Sequence, residues 1–308
     1  MIITITPNPS IDVSYYMDEF QLDAVNRCYD YNKTAGGKGL NVSKVLKIIG
    51  EDLLAIGFVG GKSGEFIEDG LKERSIRSDF TKISGETRTS LAIQYKDSST
   101  EIREAGPTIS EREEKEFLDH LKALSQEADT FCISGSLPLG LDFTFMEKVL
   151  EITKGKNLIV DTSGENLRKI VFESEIKPFA IKPNLDEIME LTGCKEEDLN
   201  LEKILKEDLF QEIPFVMVSL GKKGAVVKYK DSLYRCSVPV IEAVNSVGSG
   251  DSTIAGIAYG VDHQLNIKET LKLAMSLGVL NALEKEIGYI NRNHLESMIE
   301  QIKVEEII

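Results

Sequence analysis

The chain has 308 residues, 42% hydrophobic and 28% charged, with no tryptophan. A chain of this length buries roughly 75% of its unfolded surface, so an ample core is expected. A net charge of −15 and a pI near 4.8 lack the basic footprint that nucleic acid or an anionic membrane needs, but leave room for a small anionic substrate where a few Lys and Arg gather.

Met1 to Thr6 has no basic n-region and reads as a β-branched first strand rather than a signal peptide. No window of ~18 apolar residues is present to span a membrane. Asn8-Pro9 turns the chain, and Ser10 to Tyr16 then alternates polar and apolar residues, with Asp12 early in it. Residues 27–34 are a second half-exposed strand. Ala35-Gly36-Gly37-Lys38-Gly39-Leu40-Asn41 follows, and Leu40, Val45, Leu46 and Ile49 give a helical stripe that ends at Gly50. In this turn Lys38 supplies a point charge for a phosphate and Asn41 an amide for a hydroxyl. The plain alternative is a solvated lysine at a helix start. Leu53 to Val59 is an apolar strand. Gly60-Gly61-Lys62-Ser63-Gly64 after it fails as a Walker A loop, because the position five before Gly61 holds Ile56; it reads as a strand-to-helix turn. Arg88 to Tyr95 and Thr100 to Ala105 pair across a turn at Lys96 to Ser99, and carry Arg88 and Arg103.

From Ser110 onward helix and strand alternate. Helices are expected over 110–128, 143–153, 164–172, from Asn184 to Thr192, over 251–261 and over 267–283. Strands are expected over 131–134, 158–161, 179–182 and 215–220, with a hairpin over 225–238. This pattern predicts an α/β fold, a mainly parallel sheet with helices on both faces. Ligands bind such sheets outside the carboxyl ends of the strands. Gly37, Asp161, Asn184, Gly221 and Gly248 all fall at such positions. The alternating strands near 10–17, 27–34 and 87–105 do not fit a parallel core and predict a small β lid, which a water-excluding site needs.

The stretch Asn245-Ser246-Val247-Gly248-Ser249-Gly250-Asp251-Ser252-Thr253 opens a helix of small residues, after a strand-like run expected to reach Val240. Free N–H groups and the helix dipole favour an anion there. Asp251 is electrostatically out of place in such a cradle unless it handles a proton or a metal; the bland reading is a helix cap. Phosphoryl transfer needs both N–H donors and a base. The four cysteines, Cys28, Cys132, Cys194 and Cys236, are scattered with no C-x-x-C, which fits reduced thiols in a cytoplasmic protein.

With these residues in view, the chain resembles the ribokinase-like (PfkB) family of sugar kinases over nearly its whole length. The resemblance rests on Gly36-Gly37-Lys38-Gly39-Leu40-Asn41, on Gly248-Ser249-Gly250-Asp251, and on Asn184-x-x-Glu187 between them. It implies one ribokinase-like kinase domain over 1–308, with the lid strands inserted. Asn8-Pro9-Ser10-Ile11-Asp12, Lys182-Pro183-Asn184 and Ser219-Leu220-Gly221-x-x-Gly224 are similar to the phosphosugar branch. That branch phosphorylates ketohexoses that already carry a phosphate: tagatose 6-phosphate, to which Lys33 to Gly37 and Gly85 to Arg88 lean, or fructose 1-phosphate. Two departures are Ser249, where most relatives carry alanine, and Asn245-Ser246, where Asp-Thr is frequent.

The resemblance implies ATP and Mg²⁺ as cofactors. Asp251 is the implied base, and the N–H groups of Gly248, Ser249 and Gly250 the implied cradle of the transferring phosphoryl. Asp12, Gly37 and Asn41 are expected on sugar hydroxyls, and Lys38, Arg88 and Arg103 on the sugar's phosphate. Lys182, Asn184, Ser219, Gly221, Gly224 and Asn281 are expected on the nucleotide side, with Glu187 toward the metal. The lid edges leave room for a homodimer through the lid strands. A phosphosugar with ATP brings about six negative charges into an acidic protein, so local cations are required. Two other readings are weaker. A non-catalytic sensor would not need Asp251 with both glycine turns, and a dinucleotide oxidoreductase needs G-x-G-x-x-G where Pro7-Asn8-Pro9 stands.

Overall fold

The computed structural model describes residues 1–96 and 98–307. The strands, in chain order, begin with β1 (Ile2–Thr6), β2 (Ser10–Met17), β3 (Asp30–Gly36), β4 (Leu53–Val59), β5 (Arg77–Ser78) and β6 (Thr81–Lys82). They continue with β7 (Arg88–Tyr95), β8 (Ser98–Arg103), β9 (Thr130–Ser134), β10 (Asn157–Asp161) and β11 (Ala180–Ile181). The last are β12 (Phe215–Ser219), β13 (Ala225–Tyr229), β14 (Ser232–Ser237) and β15 (Lys303–Glu306). The helices are α1 (Lys38–Ile49), α2 (Gly61–Glu73), α3 (Glu111–Leu124), α4 (Phe143–Ile152) and α5 (Gly164–Phe172). After them come α6 (Leu185–Thr192), α7 (Leu201–Ile204), α8 (Ser249–Asp262), α9 (Ile267–Ala282) and α10 (Leu295–Gln301).

The body is one large sheet, ordered β15-β14-β13-β12-β11-β10-β9-β1-β4-β5 with β6 also on β4. The pairings from β12 through β5 are parallel, and β13, β14 and β15 add an antiparallel flank. The central strands are apolar and buried throughout, as strands covered on both faces must be. Successive residues of β1 divide between two cores. Ile2 joins Leu40, Leu46, Ile254 and Leu277 on one side, whereas Ile3 and Ile5 join Phe117, Phe145 and Ile170 on the other. Helices α1, α2, α8, α9 and α10 therefore cover one face, and α3 to α7 the other.

The strands that alternate polar and apolar form a separate sheet, ordered β3-β2-β7-β8, in the lid position the sequence predicts. Tyr15 with Tyr31 and Phe20 with Tyr95 pack within it. Tyr31 and Ile102 on its edge strands are exposed, as are Leu22, Val25 and Tyr29 in the β2–β3 connection. The turn expected at Lys96 to Ser99 has its tip, Asp97, outside the described residues.

Several boundaries and elements differ from the sequence reading. The lid strand expected over 27–34 begins at Asp30 and runs on to Gly36. The run expected to reach Val240 ends at Ser237; Pro239, which has no N–H for the ladder, follows at once. The C-terminal pair α10 and β15 was not expected. Four residues of Lys-Val-Glu-Glu carry too little pattern, and only pairing with β14 makes them a strand.

Candidate functional site

Two glycine turns meet at the carboxyl ends of the parallel strands. Gly37 opens α1 at φ 106°, and Gly248 opens α8 in the left-handed region at φ 85°. Glycine is required at both, because a Cβ strains such angles. At Gly248 the space is closed as well, since a Cβ would stand 2.7 Å from Ile287 Cγ2. α1 and α8 pack side by side on the sheet, so the two turns face one another.

Asp251 lies in the first turn of α8 and is 6% exposed. Asn41 Nδ2, from the first turn of α1, donates to its Oδ2 at 2.8 Å. Burial, and next the Asp161 charge, push the Asp251 carboxyl up to about 6, against the Asn41 bond and the Lys38 and Lys182 charges. A buried carboxyl poised near neutrality is a competent proton acceptor.

Asp161 ends β10, and its two oxygens take two ammonium groups: Lys38 Nζ at 3.3 Å and Lys182 Nζ at 3.4 Å. Burial works against its charge, but the two lysines prevail and hold the carboxyl below the ordinary range. Lys38 is in turn raised, chiefly by Asp161. Lys182, just past β11, is 7% exposed and hangs over the α8 turn: a Cβ on Gly250 would be 3.1 Å from its Nζ.

The open N–H donors at this turn differ in one member from the set expected from the sequence. The Ser249 N–H points back to Ser246 O at 3.3 Å. Gly250 and Asp251, at the second and third positions of α8, have N–H groups that no intrahelical carbonyl can reach. The open donors of the first turn are thus those of Gly250 and Asp251, with Gly248 before them. Ser249 Oγ is buried and has no hydrogen-bond partner among the described residues.

Asn281 is placed differently from the nucleotide-side expectation. It is fully buried in α9. Its Oδ1 accepts from Gly288 N and Ser252 Oγ, and its Nδ2 donates to Val247 O at 2.9 Å. With Oδ1 accepting twice and Nδ2 donating once, it pins the turn around Gly248.

Asn184 and Glu187 form a reciprocal capping box on α6: Asn184 Oδ1 accepts from Glu187 N, and Glu187 Oε2 from Asn184 N. The Glu187 carboxyl is raised by burial and then by Asp161. Asn184 bridges to Ser219 of β12, bringing the Ser219–Gly224 turn to the same end of the sheet. There the Leu220 N–H donates to Gly224 O at 2.9 Å, and Gly221 faces open space.

On the lid side, Asp12 accepts from Ser10 Oγ at 2.6 Å and lies against the Gly36 backbone, where a Cβ would be 2.1 Å from its carboxylate. The Arg88 guanidinium donates to Asn8 O at 3.0 Å and to Glu104 O at 3.1 Å, so part of its fork braces the lid to the chain after β1. Arg103 comes close enough to Arg88 for its charge, after burial, to lower the Arg88 guanidinium, with Asp12 opposing. It stands exposed on edge strand β8 and pairs with Glu101. The turn rejected as a Walker A loop holds an anion of its own: Ser63 N donates to Glu86 Oε1 at 2.6 Å.

The pfkB family carbohydrate kinase profile matches residues 5–292. The chain belongs to the pfkB family of carbohydrate kinases. It is a phosphotransferase acting on a sugar phosphate. A tagatose-6-phosphate kinase from Staphylococcus epidermidis is 43% identical over the full length of both chains. A Thermotoga maritima structure described as a possible 1-phosphofructokinase shares 25% identity at a TM-score of 0.86, covering 100% of this chain and 99% of that one. Phosphofructokinase-2 from Escherichia coli, in complex with substrates and products, shares the fold at a TM-score of 0.86 and 21% identity, covering 97% and 98%. Among the described residues, no helix is long and apolar enough to cross a membrane.

Two buried charged residues beside this cluster have no role in the sequence reading. Asp161 was noted only as a strand end, yet a charge closing a buried strand is itself a signal. Lys44 is absent from that reading, but α1 is sandwiched between sheet and α8, and Lys44 is 1% exposed.

Proposed function

We propose that this chain transfers the γ-phosphoryl group of ATP to the 1-hydroxyl of D-tagatose 6-phosphate, with Asp251 as general base. The observation that carries this reading is a buried carboxyl at the N-terminus of α8, bonded to Asn41 and overhung by Lys182. Asp251 takes the hydroxyl proton as the hydroxyl attacks. The N–H groups of Gly248, Gly250 and Asp251, with the α8 dipole, receive the charge on the phosphoryl oxygens. Lys182 neutralises ATP phosphates from the sheet side. Asp12 and the Gly37 turn orient sugar hydroxyls, and Asn41 holds Asp251. Lys38, half-exposed at the start of α1, faces the phosphate the sugar already carries, with Arg88 beside it. Ser219, Gly221 and Gly224 border the nucleotide.

Mg²⁺ suits this donor set. Asp161 and Glu187 are oxygen donors, the Asp161 charge raises the proton affinity of both Glu187 and Asp251, and a hard cation relieves that repulsion. Glu187, with Asp161 behind it, would hold the ion, which supplies charge neutralisation on the ATP phosphates when bound.

The sugar assignment is supported by the relative named tagatose-6-phosphate kinase and by the paired cations. Fructose 1-phosphate is the second reading, favoured by the Thermotoga maritima relative. A coupled ADP-release assay with Mg-ATP separates them when tagatose 6-phosphate, fructose 6-phosphate, fructose 1-phosphate and free fructose run side by side. Preference for tagatose 6-phosphate is expected. Preference for fructose 1-phosphate changes only the sugar, and turnover on free fructose alone would overturn the phosphosugar assignment. We also propose that the lid sheet pairs with a second copy, since β3 and β8 present open edges with Tyr31 and Ile102 exposed on them. A strictly monomeric species in light scattering would exclude that assembly.

A further inference from the structure

Lys44 has no part in the reaction as described, yet its side chain is fully buried beside the base. It projects from α1 and is 1% exposed, and its Nζ donates to Asn41 Oδ1 at 3.2 Å. The other amide atom of Asn41, Nδ2, is the one that donates to Asp251 Oδ2 at 2.8 Å. Lys44, Asn41 and Asp251 thus form a continuous chain across the interface of α1 and α8. The Gly288 backbone closes the remaining side of Asn41, since a Cβ there would be 3.1 Å from Oδ1.

An asparagine amide can turn either end toward a carboxyl group. With nitrogen forward it donates, and a donor favours the ionised carboxylate. With oxygen forward it accepts, which only a protonated carboxyl can satisfy. An ammonium has three donors and no acceptor, so it tolerates only the oxygen. We infer that Lys44 is a positioning residue for phosphoryl transfer: by holding Asn41 Oδ1 it turns the amide nitrogen onto Asp251 and keeps Asp251 in its proton-accepting form. The inference rests on Asp251 being the base.

The surroundings fit a lysine kept charged despite its burial. Burial pushes Lys44 down to about 8, against Asp12 from β2, Glu286 from the loop after α9, and Asp251 from α8. Arg74, just past α2, adds to the lowering and is itself paired with Glu286. Asp251 is faced in addition by Asp161 on β10 and by Lys38 and Lys182. A charged Lys44 therefore sits within a balanced set of neighbours drawn from separate elements.

The test is the pH dependence of kcat between pH 5 and 9, with Mg-ATP and tagatose 6-phosphate, in Lys44→Met, Lys44→Arg and Asp251→Asn. In Lys44→Met the acid limb is expected to move up by about one pH unit, because a donor that had favoured the carboxylate becomes free to turn away. At pH 6 kcat then falls roughly fivefold, while at pH 8 it stays within about threefold and KM for ATP is unchanged. Lys44→Arg keeps a cationic donor and returns the limb. A residue that only fills space would lower the melting temperature and leave the limb in place. An unmoved limb in folded Lys44→Met, or an equal displacement in Lys44→Arg, overturns the inference. Should Lys44→Met not fold, the wild-type protein decides: the Asn41 side-chain amide protons, followed by NMR, must shift with the Asp251 titration and again with that of Lys44, and failure of either shift removes Lys44 from the chain. An Asp251→Asn enzyme that retains the wild-type limb would instead sink the assignment of Asp251 itself.

Discussion

Gly37 and Gly248 both hold positive φ values, 106° and 85°, and each opens a helix that packs on the same face of the sheet. Their first turns differ in charge. α1 begins with a cation, Lys38, against its own dipole, and α8 carries an acid, Asp251, in accord with its dipole. Neither settles where the dipole alone would put it. Lys38 swings out to Asp161, where an ion pair outweighs a dipole effect worth about 0.3–1 kcal/mol. The Asp251 carboxyl is raised although the dipole favours its charge, because desolvation of the buried carboxylate outweighs that favour. The same backbone motif therefore yields a partly solvated phosphate hook at one helix and a dry proton acceptor at the other. Burial decides which.

The largest effect comes from removing the acid. Asp251→Asn is expected to lower turnover about 10²- to 10⁴-fold, the usual worth of a general base, with KM values little changed. Near-normal turnover would dissolve the contrast between the two turns. The same substitution should stabilise the fold. The folded carboxyl titrates near 6 against an ordinary value of 3.8. Its contribution to stability is therefore full below about 3.8 and lost as pH rises through 6, so at neutral pH the ionised group is a cost. Removing it should gain on the order of 1–3 kcal/mol at pH 7.5 and less at pH 4.5. Urea unfolding at both pH values checks this; equal gains would mean that Asp251 is not perturbed.

Next is the turn itself. Gly248→Ala forces a side chain into the left-handed region and toward Ile287 Cγ2, so the N–H groups of the cradle must shift. A misaligned donor set should cost about 10²-fold in kcat. Single-turnover measurements read this directly, and an unchanged rate would mean that the cradle lies elsewhere. At the other turn, Lys38→Met should act on binding instead. Loss of a charge-assisted contact is expected to raise KM for tagatose 6-phosphate roughly tenfold or more with a smaller change in kcat. A defect confined to kcat would make the two turns alike after all.

The framework of this contrast was legible in the sequence. Strand–helix alternation and the two glycine signatures located α1, α8 and the sheet end between them, and the half-polar strands separated the lid from the body. Legibility failed where a residue's role depends on its partners. Asn281 in α9 could not be distinguished from a ligand-facing amide until Val247, Ser252 and Gly288 closed around it. Register places Arg103 opposite Ser90 and diagonal to Arg88, but its pairing with Glu101 on the edge strand could not be read from the sequence. Lys44 looks like helix surface because the amphipathic stripe of α1 shows one buried face, while α8 covers the other. Long-range packing, unlike periodicity, leaves no local mark.

The smallest expected effect lies on the lid. Burial lowers the Arg88 guanidinium, with Asp12 opposing and Arg103 adding to the lowering. Its contacts with Asn8 O and Glu104 O use only part of a five-donor fork. Arg88→Ala is therefore expected to raise KM for tagatose 6-phosphate roughly threefold to tenfold while leaving KM for ATP close to wild type. Arg88→Lys should recover little, because a point charge cannot brace two carbonyls and reach a phosphate at once. If the effect falls on ATP instead, Arg88 belongs with Lys182 on the nucleotide side. If Lys restores KM in full, charge alone matters there, and Arg88 serves the substrate as Lys38 does, without bracing the lid.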